Sequence, residues 1–117
     1  MAVTWDEVRR LMRRLPGTVE GTSYGTPAFR VARKFLTRLH PDGASLVVPV
    51  GLDEREMLIR RDPKTYYITE HYRASEAMLV SLSRVRPDAL FRLLEQHWRA
   101  VAPKQLRAQH PAKAARE

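Results

Sequence analysis

The chain contains no cysteine. That excludes a disulfide framework, thiolate-bound zinc or iron–sulfur clusters, and a thiol nucleophile. Long apolar runs are missing too, and none approaches the roughly 20 residues that span a bilayer. Near the start, Trp5-Asp6-Glu7 and then Arg9, Arg10, Arg13 and Arg14 interrupt any signal-peptide core. A cytoplasmic location with no membrane partner is the expectation.

Glycine is scarce, five residues in 117, and two of the five fall in "GTSYGTPAFRV", Gly21 to Val31. The stretch has the composition of a phosphate-cradling loop but the wrong order. It contains no G-x-x-x-x-G-K-[ST] and no G-x-G-x-x-G, and a strand rather than a helix follows it. Gly21 and Gly25 therefore read as turn residues. Pro27 opens a strand whose Phe29 and Val31 enter the core, and Tyr24 is either a core plug or a ligand contact.

Catalytic constellations are absent as well. Ser23, Ser45, Ser75, Ser81 and Ser83 lack a G-x-S-x-G elbow. The four histidines, His40, His71, His97 and His110, have no pair at helical ligand spacing. Asp53, Glu54 and Glu56 crowd one charged helix, where a solvated face explains them. The reading is a non-enzyme with no metal and no cofactor.

What the chain has in excess is positive charge: 21 basic against 13 acidic side chains, net +8. The excess is +5 over residues 1–40 and again over 81–117, while 41–80 carry −2. Such a balance favours polyanionic partners. Solvated arginine-rich helix faces are the competing explanation.

Local signals predict the elements. In "TWDEVRRLMRRL", Thr4 and Glu7 have capping-box spacing, and Trp5, Val8, Leu11, Met12 and Leu15 share one helical face. Pro16-Gly17 stops that helix. "AFRV", "KFLTRLH" and "SLVVPV" read as strands; "HPDGAS" is the turn between the last two, and Pro49 points to an edge or an early end. Asp53–Arg61 reads as a short helix with Met57 and Leu58 inward. "TYYIT" and "AMLVSL" are strands around the loop "EHYRASE". "RPDALFRLLEQHWRAVA" is an amphipathic helix with Pro87 in its first turn and Leu90, Leu94, Trp98 and Val101 buried. The fold class is α+β, two layers, with an antiparallel sheet of about five strands in the order α-β-β-β-α-β-β-α. Residues 1–103 form one domain, and 104–117 a basic, flexible tail.

"LPGTVEGTSYGTPAFRV" with "ARK", then "DPKTYYITEHYR", "MLVSL" and "LLEQHWRAVAPK" together resemble the MmcQ/YjbR-like family over roughly residues 5–104. The resemblance implies a secretion-chaperone-like or frataxin-like fold. It also implies a presumed DNA-binding role with a double-wing arrangement. The matching positions are Gly21, Tyr24, Gly25, Pro27, Phe29, Val31, Lys34, Thr69, His71, Tyr72, Trp98, Ala102, Pro103 and Lys104. One departure is Arg33, where the family often has glycine. Arginine at positive φ would be strained, which predicts a wider hairpin here.

These observations lead to a nucleic-acid-binding domain of low sequence specificity that contacts phosphates through Arg30, Arg33, Lys34 and Arg38, with Tyr72 and Arg73 alongside. The alternative is a protein-interaction or chaperone-like adaptor module, as a homodimer or with another protein docked near the Pro49 edge. A small-molecule ligand is not expected; the place for one would be a pocket near Tyr24 and Tyr66.

Overall fold

The computed structural model describes residues 2–111. It opens with α1 (Trp5–Met12), and both halves of the capping box form: Thr4 Oγ1 accepts from the Glu7 amide, and Glu7 accepts from the Thr4 amide. Val8 and Met12, with Leu15 beyond the helix, are buried. Gly17, at φ 76°, turns the chain into the sheet.

Six antiparallel strands follow: β1 (Thr18–Ser23), β2 (Thr26–Val31), β3 (Lys34–Leu39), β4 (Ser45–Pro49), β5 (Tyr66–Tyr67) and β6 (Ala77–Ser81). Their spatial order is β1-β2-β3-β4-β6-β5. Between β4 and β5 lies α2 (Leu52–Arg61), which packs against β5. A single 3-10 turn, Glu70–Tyr72, precedes β6, and α3 (Pro87–Val101) and α4 (Lys104–Ala108) follow it. No described helix is long and apolar enough to cross a membrane.

The α+β class and the antiparallel sheet match the expectation, but the sheet has six strands rather than about five. The additional one is β1, which runs through "TVEGTS". Gly21 is therefore an edge-strand residue facing Ala28 of β2, and not a turn residue. β1 has little apolar alternation because it lies at the sheet's margin with four consecutive exposed residues. The turn is Tyr24-Gly25, both at positive φ (53° and 80°), closing Ser23 onto Thr26. That is the two-residue hairpin geometry whose twist matches the strands it joins.

The β2–β3 connection is equally tight. Val31 pairs with Lys34 across Ala32 and Arg33, at φ 50° and 70°. The hairpin is not widened by Arg33; the chain accepts the strained backbone instead. Along these strands Phe29 faces Thr37 while Arg30 faces Phe35, so Leu36 is an extra, unpaired residue. This bulge lets Leu36 enter the main core while Phe35 and Arg38 point the other way.

The main core lies between the sheet and α1 and α3. Phe29, Val31, Leu36, Leu46, Val48, Met78 and Val80 meet Val8, Met12, Leu90, Leu94 and Trp98 there. Trp98 is fully buried, and its Nε1 donates to the Pro16 carbonyl at 3.0 Å. Val101 is only half-buried, while Phe91 and Leu93 join the buried stripe. Met57 is exposed, against expectation, because the buried face of α2 carries Arg55 instead. Pro49 does end β4 early, but β4 is an interior strand between β3 and β6. Lys104–Ala108 is helical rather than a flexible tail, and Leu106 packs on the core edge. Positions 112–117 of that tail lie outside the described residues.

On the opposite sheet face the alternate residues Val47, Leu79 and Tyr67 form a second, smaller cluster with Tyr72, Phe35, Ile68 and Ala77. Ile68 and Tyr72, on the chain leading into β6, pack on this face, and a pocket opens toward its β2–β3 end.

Candidate anion-binding pocket on the open sheet face

Where the cover stops, a concave pocket of about 720 Å³ opens over β2, β3 and β4. Arg30 of β2 and Phe35 and Arg38 of β3 rise from its sheet side. Tyr72 and Ser75 form the wall contributed by the covering loop, and Tyr24 stands at the tip of the first hairpin. None of the residues lining it is acidic.

Arg38 is only 9% exposed. Its Nη2 donates to the Tyr72 hydroxyl at 3.1 Å and its Nη1, more weakly, to Thr26 Oγ1 at 3.4 Å. Arg30 Nη1 donates to the Thr22 carbonyl at 3.0 Å. Neither arginine has a carboxylate within ion-pair distance among the described residues. Among the described residues the ion pairs form elsewhere: Arg9 with Asp6 and Glu20, Arg73 with Glu70, Arg99 with Glu95. A mostly buried guanidinium held only by neutral oxygens keeps unused N–H donors. Its natural complement is an anion.

The wall opposite is braced from behind. Arg55 of α2, also 9% exposed, donates to four main-chain carbonyls: Ser75 at 2.6 Å, Ala77 at 2.9 Å, Tyr72 at 3.1 Å and Arg73 at 3.4 Å. Ser75 Oγ adds a bond to the Tyr72 carbonyl at 3.2 Å. His71 stacks edge-on against Tyr72, ring centroids 4.8 Å apart. At the mouth, the Arg38 guanidinium lies 5.3 Å from the centroid of the Tyr24 ring, within cation–π range.

Of the residues expected to bind, the fold gathers Arg30, Arg38 and Tyr72 and adds Tyr24. It does not gather the rest. Arg33 and Lys34 are exposed at the opposite end of β2 from Tyr24, and Arg73 is exposed and paired with Glu70 at 3.0 Å. The expected row of basic contacts is therefore two clusters, one concave and one at a hairpin tip. Tyr72 is buried, and its hydroxyl is a partner of Arg38. Gly25 and Pro27 shape the Tyr24 hairpin, Phe29 packs on Trp5 at 5.5 Å in the main core, and Trp98 sits at its centre. Lys104 is the exposed first residue of α4. Phe35, Val47 and Arg55 are not among the residues expected to bind, and Ser75 enters the sequence reading only as a serine without a nucleophile elbow. Arg55 left a trace there, as a basic residue amid the apolar positions of a short helix.

Electrostatics elsewhere serve the frame. Glu20 of β1 accepts from Arg9 Nε at 2.9 Å and from Trp5 Nε1 at 2.9 Å, tying the edge strand to α1; Arg9 and then Trp5 hold its carboxyl below the usual range. Burial pushes Asp42 up, but the amides of Ala44 and Ser45 together with His40 outweigh it and lower the group.

The comparisons agree with this fold. The family model described as YjbR matches residues 13–100. Uncharacterized protein Rv2570 of Mycobacterium tuberculosis and uncharacterized protein Mb2600 of Mycobacterium bovis are each 30% identical over 118 aligned residues. The alignment covers 88% of this chain and 92% of theirs. The crystal structure of Deinococcus radiodurans protein DR2400, a DUF419 domain, superposes with a TM-score of 0.74 at 21% identity. It covers 92% of this chain and 88% of that one. With its matched span, six-stranded sheet and covering helices, the chain belongs to the YjbR family.

Proposed function

We propose that this YjbR-family chain is a non-enzymatic nucleic-acid-binding domain that holds phosphates on the open sheet face. The carrying observation is the pair Arg30 and Arg38, two guanidinium groups without carboxylate partners in a pocket free of acidic side chains. The exposed Arg33 and Lys34 at the far hairpin tip supply a second, more solvated phosphate contact. The net charge of +8 supports the same partner by steering and counterion release. The contacts are to charge rather than to base edges, and among the described residues no helix lies in the pocket to enter a major groove, so low sequence specificity follows.

Titration of labelled oligonucleotides against salt concentration tests the reading. Affinity should fall steeply as salt rises, with Arg30→Gln and Arg38→Gln both weaker than the parent. Absence of binding at low salt, or a salt-independent affinity, overturns it.

A second reading rests on β1. This edge strand leaves one side unpaired, and Val19 is 64% exposed on it, the arrangement used for strand addition by a protein partner or a second copy. A dimer in light scattering that Val19→Lys abolishes would favour it.

A further inference from the structure

We infer that the pocket takes one unstacked nucleotide of a single strand, with its base on Tyr24 and its phosphate on Arg38 and Arg30. This rests on the nucleic-acid reading above and narrows it from phosphate binding in general to single strands.

Burial is the first reason. Arg38 is 9% exposed and lines the concavity. Duplex phosphates ride on the outside of a convex cylinder and cannot follow it in. A nucleotide swung out of a flexible strand can, and a space of about 720 Å³ lies within the size range of sites that enclose small organic ligands.

Tyr24 is the second, independent reason. Its position in a two-residue hairpin asks for positive φ, which asparagine, aspartate or glycine adopts at least cost. The chain instead places there a tyrosine at φ 53°, 90% exposed. Its ring packs into no core, so burial offsets none of the strain. What the ring does have is the Arg38 guanidinium 5.3 Å from its centroid. A base laid on the ring extends that stack, and every base has a π face, so the site is tolerant of sequence. The guanidinium donors not used by Tyr72 and Thr26 then face the attached phosphate.

Fluorescence anisotropy with a labelled oligothymidylate, its duplex with oligoadenylate, and free thymidine monophosphate as competitor tests the inference on the full chain. The single strand should bind about tenfold tighter than the duplex, the scale of one base–aromatic stack. Tyr24→Asn suits the turn better than tyrosine does, so this variant should melt no lower than the parent. It should lose about tenfold for the single strand and nothing for the duplex. Arg30→Gln should weaken the single strand while leaving the melting temperature in place.

Equal or tighter duplex binding, or a Tyr24→Asn variant with unchanged single-strand affinity, overturns the inference and leaves the broader nucleic-acid reading standing. Monophosphate that competes as well as the strand assigns the pocket to free nucleotides and overturns it too. No binding to any nucleic acid at low salt removes both.

Discussion

Arg38 and Tyr72, 34 residues apart in the chain, meet across a 3.1 Å hydrogen bond from Nη2 to the phenolic oxygen. The bond joins the inner strand β3 to the loop that covers part of the sheet. It also gives a buried cation a neutral partner, which leaves the charge available to a ligand. Tyr72→Phe keeps the packing and deletes the acceptor. A mostly buried charged donor left unmatched costs about 1–3 kcal/mol. The urea midpoint should drop accordingly with an unchanged m-value; an unmoved midpoint would mean the bond contributes nothing to stability.

Arg55 fixes the other side of the pocket with a planar fork that reaches four carbonyls. Lysine carries one compact ammonium and cannot span them. Arg55→Lys should therefore cost at least about 2 kcal/mol, by the unsatisfied-acceptor penalty. It should also speed amide hydrogen exchange in the Tyr72–Ala77 segment ahead of the main core. Exchange that rises uniformly over the chain would argue against a local bracing role.

At the β2–β3 turn, Arg33 holds φ 70° without packing in return. Left-handed backbone costs a non-glycine residue on the order of 1 kcal/mol. Arg33→Gly should stabilise the fold by roughly that amount, less the entropy glycine loses, and thermal melting reads it directly. A lower melting temperature would show that the arginine side chain stabilises the native state by more than its backbone strain.

His97 of α3 is half-buried, and its Nε2 lies 3.0 Å from the Phe35 carbonyl oxygen. Burial lowers its pKa, and the bond to Phe35 offsets this only in part. With the folded value below the unfolded one, the unfolded chain binds more protons in the window between them. Stability is then fully present above about pH 6.5, the ordinary imidazole value, and falls as the solution is acidified toward the folded pKa. His97→Gln keeps a donor near Phe35 and does not titrate. Its melting temperature should vary less than the parent's between neutral and mildly acidic pH, and an identical profile would assign the acid sensitivity elsewhere.

Leu106 of α4 packs over Gly17, close enough that a methyl group on the glycine would stand 2.5 Å from its Cδ1. Leu106→Ala should cost about 1–2 kcal/mol, the scale for a half-buried leucine. Gly17→Ala should cost more, since it adds strain at φ 76° to the crowding. A chemical-denaturation series on both variants checks the order.

What the sequence by itself determined is much of what neighbours three or four residues apart govern. Thr4 and Glu7 start α1, Pro87 and the stripe through Leu94 and Trp98 form α3, and Asp42-Gly43 turns β3 into β4. The period-two spacing that sends Tyr66 and Tyr67 to opposite faces is legible for the same reason. β1 is not, because an edge strand with polar residues on both faces is defined by its partner and not by its own pattern.

The site lay beyond the sequence in the same sense. Arg30, Arg33, Lys34 and Arg38 look alike as basic residues on one hairpin. The bulge at Leu36, the closure by Tyr72 and the brace from Arg55 place two of them in a pocket and leave two in solvent. The closure and the brace span long stretches of chain, and only the packed sheet brings them together.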